Sequence, residues 1–177
     1  MASIALIGYR GTGKSTVGSL LAERLGWRLV DTDRLIESAQ GEPIAAIFAR
    51  GGENLFRACE TEALLSLEKE NQPLVIATGG GLPLREENRA LLRRLAPNRI
   101  VLLTAAPETI ARRMTADEKS AQTRPPLTNL SFEEEIRTVL TQRTPVYTAL
   151  ADYTVETEGV SPEEIVQQII RSLKPLG

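Results

Sequence analysis

The densest chemical signal in the chain lies near its N-terminus, where Gly8-Tyr9-Arg10-Gly11-Thr12-Gly13-Lys14-Ser15 fits the spacing G-x-x-x-x-G-K-[S/T]. Glycines so spaced let successive backbone N–H groups converge on one anion, and a helix beginning directly behind them adds free donors and a partial positive charge. The pattern predicts a phosphate site in which Lys14 reaches the β and γ phosphates and the Ser15 hydroxyl holds Mg²⁺. Asp31 and Asp33 close a second apolar run, and a strand period of two places both side chains on one face, toward the phosphate loop. One carboxylate suits Mg²⁺, directly or through its water, and the other suits the proton of a substrate hydroxyl. The plainer alternative has Asp31 ending the strand and Asp33 capping a helix that begins at Arg34.

Many phosphate-loop enzymes end their third strand in a metal-binding acid, but this chain has Thr78-Gly79-Gly80-Gly81 there. Three glycines predict backbone N–H groups open to a ligand that approaches very closely. Arg57 and Glu60 stand three apart on a helical pattern. As a surface ion pair they would contribute only about 0.2 to 0.5 kcal/mol. As a functional pair, Arg57 would clamp a substrate carboxylate and Glu60 would fix its orientation from behind. Arg143, near the end of a helix from Ser131, also reads as an ordinary dipole-compensating charge, and Arg124 as a solvated one. Spacing does not decide among these arginines.

These residues need elements to position them. Strand-like runs at Ile4 to Ile7, Arg28 to Val30, Leu74 to Ala77, Arg99 to Leu103 and Tyr153 to Val155 alternate with helical patterns. That alternation predicts parallel pairing through right-handed crossovers, hence a three-layer α/β/α sandwich around a five-stranded parallel sheet, with ligands at the strands' carboxyl ends. Residues 33–61 lack a strand and break at Gly41-Glu42-Pro43 and Gly51-Gly52, as expected of a helical substrate-binding insertion. Residues 114–128 are polar and irregular from Thr115, as expected of a mobile lid over the phosphates. Ser131-Phe132-Glu133-Glu134 and Ser161-Pro162-Glu163-Glu164 both match a capping box.

Composition narrows the chemistry. With 177 residues the chain suits one domain, and with no histidine at all it excludes Ser/His/Asp and Cys/His catalysis and ordinary His/Cys zinc sites. The single Cys59 cannot form an internal disulfide, and no leader-like or membrane-length apolar run is apparent, so a cytoplasmic protein is expected. A net charge of −2 argues against nucleic acid as the main ligand, while 17 arginines among 21 cationic residues permit carboxylate or phosphate recognition. No exposed apolar helix face stands out, so a monomer is expected.

Together these residues resemble the shikimate kinase family, from the first strand to about Asp152. The resemblance is carried by Gly8 to Gly18, Asp31-Thr32-Asp33, Phe56-Arg57-Ala58-Cys59-Glu60, Gly79-Gly80-Gly81, Arg124-Pro125 and Arg143-Thr144-Pro145-Val146-Tyr147, followed by Ala151-Asp152. It implies a P-loop kinase that uses Mg-ATP to phosphorylate the 3-hydroxyl of shikimate, a step toward chorismate and the aromatic amino acids. By that resemblance Gly11, Thr12, Gly13, Lys14, Ser15 and Thr16 bind the ATP phosphates, with Ser15 on Mg²⁺ and Asp31 in its water shell. Asp33 deprotonates the attacking hydroxyl, Arg57 and Arg143 grip the shikimate carboxylate, and Gly79, Gly80 and Gly81 line the same pocket. Arg124 swings in with the lid to neutralise the transferring phosphoryl group, and Arg113, rather than Arg112, stacks on adenine. The lid departs from the family's usual Arg-Pro-Leu-Leu, reading Arg124-Pro125-Pro126-Leu127. The alternatives are a kinase of another hydroxy-acid such as gluconate, and a non-catalytic nucleotide-binding regulator. The regulator predicts damage at Asp33, Arg57 or Arg124, and all three residues are present.

Overall fold

The computed structural model describes residues 3–116 and 132–173. Strands β1 (Ile4–Ile7), β2 (Arg28–Asp31), β3 (Leu74–Ala77), β4 (Ile100–Thr104) and β5 (Tyr153–Glu156) form one parallel sheet in the order β2-β3-β1-β4-β5. Positions in β1 and β3 are all buried, which is why these strands read as unbroken apolar runs: helices cover both faces of the sheet. Strand ends differ from the expected ones by a residue at β2, β4 and β5, because the ladder continues through Asp31 beside Ala77 and through Thr104 beside Glu156.

The two faces divide the sheet residues by alternation. Ile4 and Leu6 of β1 meet Val17, Leu21 and Ala22 of α1 (Lys14–Leu25) and Ile165, Val166 and Ile169 of α7 (Pro162–Ser172). Ala5 and Ile7 meet the opposite layer, built from α4 (Glu86–Leu95), the second half of α3 (Ile44–Leu67) and the end of α6 (Phe132–Leu150), through Leu64, Leu91, Leu92, Tyr147 and Leu150. The result is the expected three-layer sandwich. The Ser161 capping box forms, with both its reciprocal bonds.

The helical insertion is present as well. Helix α2 (Thr32–Gln40) and both halves of α3 enclose a small core of their own, formed by Ile36, Ile44, Ile47, Phe56, Cys59 and Ala63. Gly52, at φ 65° and ψ −164°, interrupts α3 in a region that essentially only glycine occupies, so the segment before it meets the run bearing Arg57 at an angle. Burial pushes the Cys59 thiol above its usual range, and nearby Glu62 pushes it further. The native protein should therefore resist iodoacetamide at pH 8, whereas protein unfolded in guanidinium should take one label; rapid native labelling would mean that this small core opens readily.

At the other end of the sheet, α5 (Pro107–Ala116) runs further than the irregular segment expected from Thr115 allows. Thr115 stays helical, its hydroxyl donating to the Ala111 carbonyl at 2.8 Å. The rest of the expected lid, with Arg124, Pro125 and Pro126, lies outside the described residues, as does Ser131 of the other capping box.

Candidate active site

The carboxyl ends of β1, β2 and β3 open into a cavity of about 490 Å³. Gly11 to Thr16 form one wall of it, and Asp31, Asp33, Gly79 and Gly80 stand on the other. Gly13 takes the cap position of α1 at φ 95°, a left-handed conformation that favours glycine. No side chain caps this helix, so its first N–H groups remain available to an anion. The Lys14 ammonium is buried and donates to the Gly8 and Tyr9 carbonyls at 2.8 and 2.7 Å, bracing the loop from within.

Asp31, not Asp33, caps the helix after β2. Its Oδ1 accepts from the N–H groups of Asp33 and Arg34 at 3.0 and 3.3 Å, and its Oδ2 accepts from the Ser15 hydroxyl at 3.0 Å. The strand period therefore stops at Asp31 and cannot place Asp33. A turn of α2 brings Asp33 to the same cavity instead. Ser15 and Asp31 thus meet as two hard oxygen donors at the loop, a set suited to a divalent cation that keeps most of its water. No cluster of three or more His, Cys, Asp or Glu side chains suited to a metal occurs among the described residues.

The glycine run works by closeness, and one of its three N–H groups is taken up within the protein. The Gly79 N–H donates inward to Thr32 Oγ1 at 2.9 Å, and the Gly80 carbonyl accepts from the buried Tyr147 hydroxyl. A Cβ on Gly79 would stand 2.6 Å from Asp33 Oδ1, and one on Gly81 would stand 2.5 Å from Arg57 Nη2. Side chains at these positions would displace the Asp33 carboxylate and the Arg57 guanidinium.

Arg57 is no surface residue. Its Nη1 donates to Glu60 Oε2 at 2.7 Å, while Nε and Nη2 donate to Glu53 Oε1 at 3.1 and 2.8 Å. Glu60 is 0% exposed, so an i, i+3 spacing that suggested a weak surface pair in fact builds a desolvated one. Burial acts to lower the Arg57 pKa, but Glu60 and Glu53 more than reverse this and hold the guanidinium charged. Arg143 lies with its guanidinium 5.9 Å from the centre of the Tyr9 ring. It also acts on Tyr147, one turn further along α6, whose phenol burial pushes up and whose pKa Arg143 draws back down.

Of the predicted site residues, Gly11 to Thr16, Asp31, Asp33, Gly79, Gly80 and Arg113 line the cavity. Gly81, Arg57 and Arg143 do not line it; Gly80 and Tyr9 join them to it. Arg113 donates to Thr157 Oγ1 and to the Thr157 carbonyl at 2.8 and 2.7 Å, whereas Arg112 reaches Thr109. Thr157, Val160 and Pro162 line the cavity beyond Arg113, although no motif marks them. Sequence reasoning also passed over Arg10 and Glu135, joined at 3.0 Å. Arg10 fills an unconstrained position of the loop pattern, and Glu135 hides in the run Glu133-Glu134-Glu135, which reads as helix-end charge.

A phosphate loop between β1 and α1, a parallel sheet in this strand order and a helical insertion after β2 define a P-loop kinase. The family model for shikimate kinase matches residues 10–174, and the chain belongs to the shikimate kinase family. It is 40% identical to a shikimate kinase of Thermodesulfovibrio yellowstonii over 177 residues, covering 99% of this chain and 97% of that one. It is 42% identical to one of Geobacter metallireducens over 167 residues, covering 94% and 89%. Among solved structures, shikimate kinase from Acinetobacter baumannii in complex with shikimate superposes with a TM-score of 0.87 at 35% identity, covering 97% of this chain and 92% of that one.

Proposed function

We propose that this protein transfers the γ-phosphoryl group of ATP to the 3-hydroxyl of shikimate, releasing ADP and shikimate 3-phosphate. The observation that carries the reading is one cavity in which the phosphate loop faces Asp33, with Arg57 held against buried Glu60 behind Gly81. The backbone of Gly11 to Thr16 and Lys14 bind the donor phosphates. Arg57 and Arg143 hold the acceptor carboxylate and so aim its hydroxyl at Asp33. The hydroxyl oxygen bonds to phosphorus as the bond to the β–γ bridging oxygen breaks, and Asp33 takes the hydroxyl proton. In a loose transition state that proton leaves late, so positioning and neutralisation of the phosphoryl charge matter more than a strong base. Ser15 and Asp31 are the residues that would hold Mg²⁺, which when bound neutralises charge on the phosphates.

No helix among the described residues is long and apolar enough to cross a membrane. The deciding experiment compares acceptors. Purified protein with Mg-ATP should release ADP on addition of shikimate and not on addition of gluconate. Equal release with both would make the carboxylate clamp non-selective, and none with shikimate would overturn the reading.

A further inference from the structure

Arg10 stands where the phosphate loop meets the glycine run. A Cβ on Gly80 would lie 3.4 Å from the Arg10 backbone nitrogen, so the two walls of the cavity come within contact distance at this residue. Arg10 is among the residues lining the cavity, with Lys14, Asp33 and Gly80. Its Nη2 donates to Glu135 Oε1 at 3.0 Å. Glu135 is 3% exposed, so a carboxylate withdrawn from water holds this guanidinium in place. A guanidinium has five donors. The Nε of Arg10 is buried and has no hydrogen-bond partner among the described residues.

Two guanidinium groups share the Tyr9 ring. Arg10 lies 5.8 Å from its centre and Arg143 lies 5.9 Å from it. Tyr9 is itself buried, and the Tyr147 hydroxyl anchors the neighbouring Gly80 carbonyl. The side chains around Arg10 therefore belong to the acceptor wall, whereas the donor phosphates are served by the backbone from Gly11 onward and by Lys14. We propose that Arg10 is an acceptor-binding residue: poised by Glu135, its guanidinium supplies a third cationic contact, with Arg57 and Arg143, for an anionic acceptor. The proposal rests on the reading of Arg57 and Arg143 as carboxylate-binding groups.

The test measures steady-state kinetics with each substrate varied, and Mg-ATP binding by calorimetry, on the full chain carrying R10M, R10K, E135Q and the R10M/E135Q pair. A lost charge-assisted contact predicts that R10M raises the KM for shikimate about tenfold or more while the Kd for Mg-ATP moves less than about twofold. R10K should recover part of the loss, because it keeps the charge without the planar fork. E135Q should raise the same KM by about three- to tenfold and add nothing further in the R10M background, since both changes disable one group. An unchanged shikimate KM in R10M, or an equal weakening of shikimate and Mg-ATP, overturns the proposal. Should R10M fail to fold, E135Q decides alone, and a wild-type shikimate KM there overturns it. R57K separates the underlying reading: an unchanged shikimate KM in R57K rejects the carboxylate clamp, whatever the Arg10 variants do.

Discussion

Asp33→Asn should abolish shikimate-dependent ADP release while leaving Mg-ATP binding almost intact. The amide has nearly the same shape as the carboxylate, so it fits the space beside Gly79, where a Cβ would stand 2.6 Å from Asp33 Oδ1. It cannot take the hydroxyl proton. Loss of a positioned proton acceptor costs about 10²- to 10⁴-fold in rate. The donor wall should not register the change, because the phosphates meet the Gly11 to Thr16 backbone and Lys14, and because Asp31 rather than Asp33 accepts from Ser15 and caps α2. Turnover above about a tenth of wild type would remove Asp33 from the proton-transfer role. A parallel tenfold loss of Mg-ATP affinity would make it part of the donor site instead.

The phosphate-loop side of this cavity could be read directly from residue order, and the side facing it only in part. A phosphate loop is one contiguous segment whose chemistry comes from backbone conformation, so Gly8 to Ser15 announces it together with the strand before and the helix after. Fully buried parallel strands read just as clearly, as continuous apolar runs. The proposed acceptor residues come from α2, α3, the glycine run and α6, and residues brought together by tertiary packing leave no fixed spacing in the chain. Thus Arg57 and Glu60 showed the right interval but not the burial that turns a weak helix pair into a desolvated one. Asp31 and Asp33 fell on the right cavity for a wrong reason: a strand period was assumed where a helix begins at Thr32. The glycine run showed its free N–H groups but not its closeness: Gly79 and Gly81 make room for Asp33 and Arg57, and the Gly79 N–H bonds inward. Glu135 was invisible, because three adjacent glutamates look alike until packing buries one of them.

Arg57→Ala should act twice, on stability and on acceptor binding, and Arg57→Lys should separate the two. Glu60 is fully buried, and its Oε2 accepts from Arg57 Nη1 at 2.7 Å. Removing the guanidinium takes a close counter-charge from a carboxylate in a dry environment, and breaking a buried pair from one side costs about 3 to 5 kcal/mol. Exposed Glu53, on the other edge of Arg57, adds little to this because water solvates it once released. The alanine variant should therefore unfold at markedly lower denaturant concentration than wild type. Lysine restores a positive charge near Glu60 but offers one ammonium where the guanidinium offered a planar fork. Arg57→Lys should thus regain most of the stability yet keep a shikimate KM raised about tenfold or more, the size of one lost charge-assisted contact, with Mg-ATP affinity unchanged. Denaturant melts and shikimate titrations on both variants check this. A lysine variant with wild-type shikimate KM would make Arg57 only the counter-ion of Glu60. One that lost ATP affinity in step would mean that the acceptor wall cannot be altered without disturbing the phosphate loop, which it touches at Gly80.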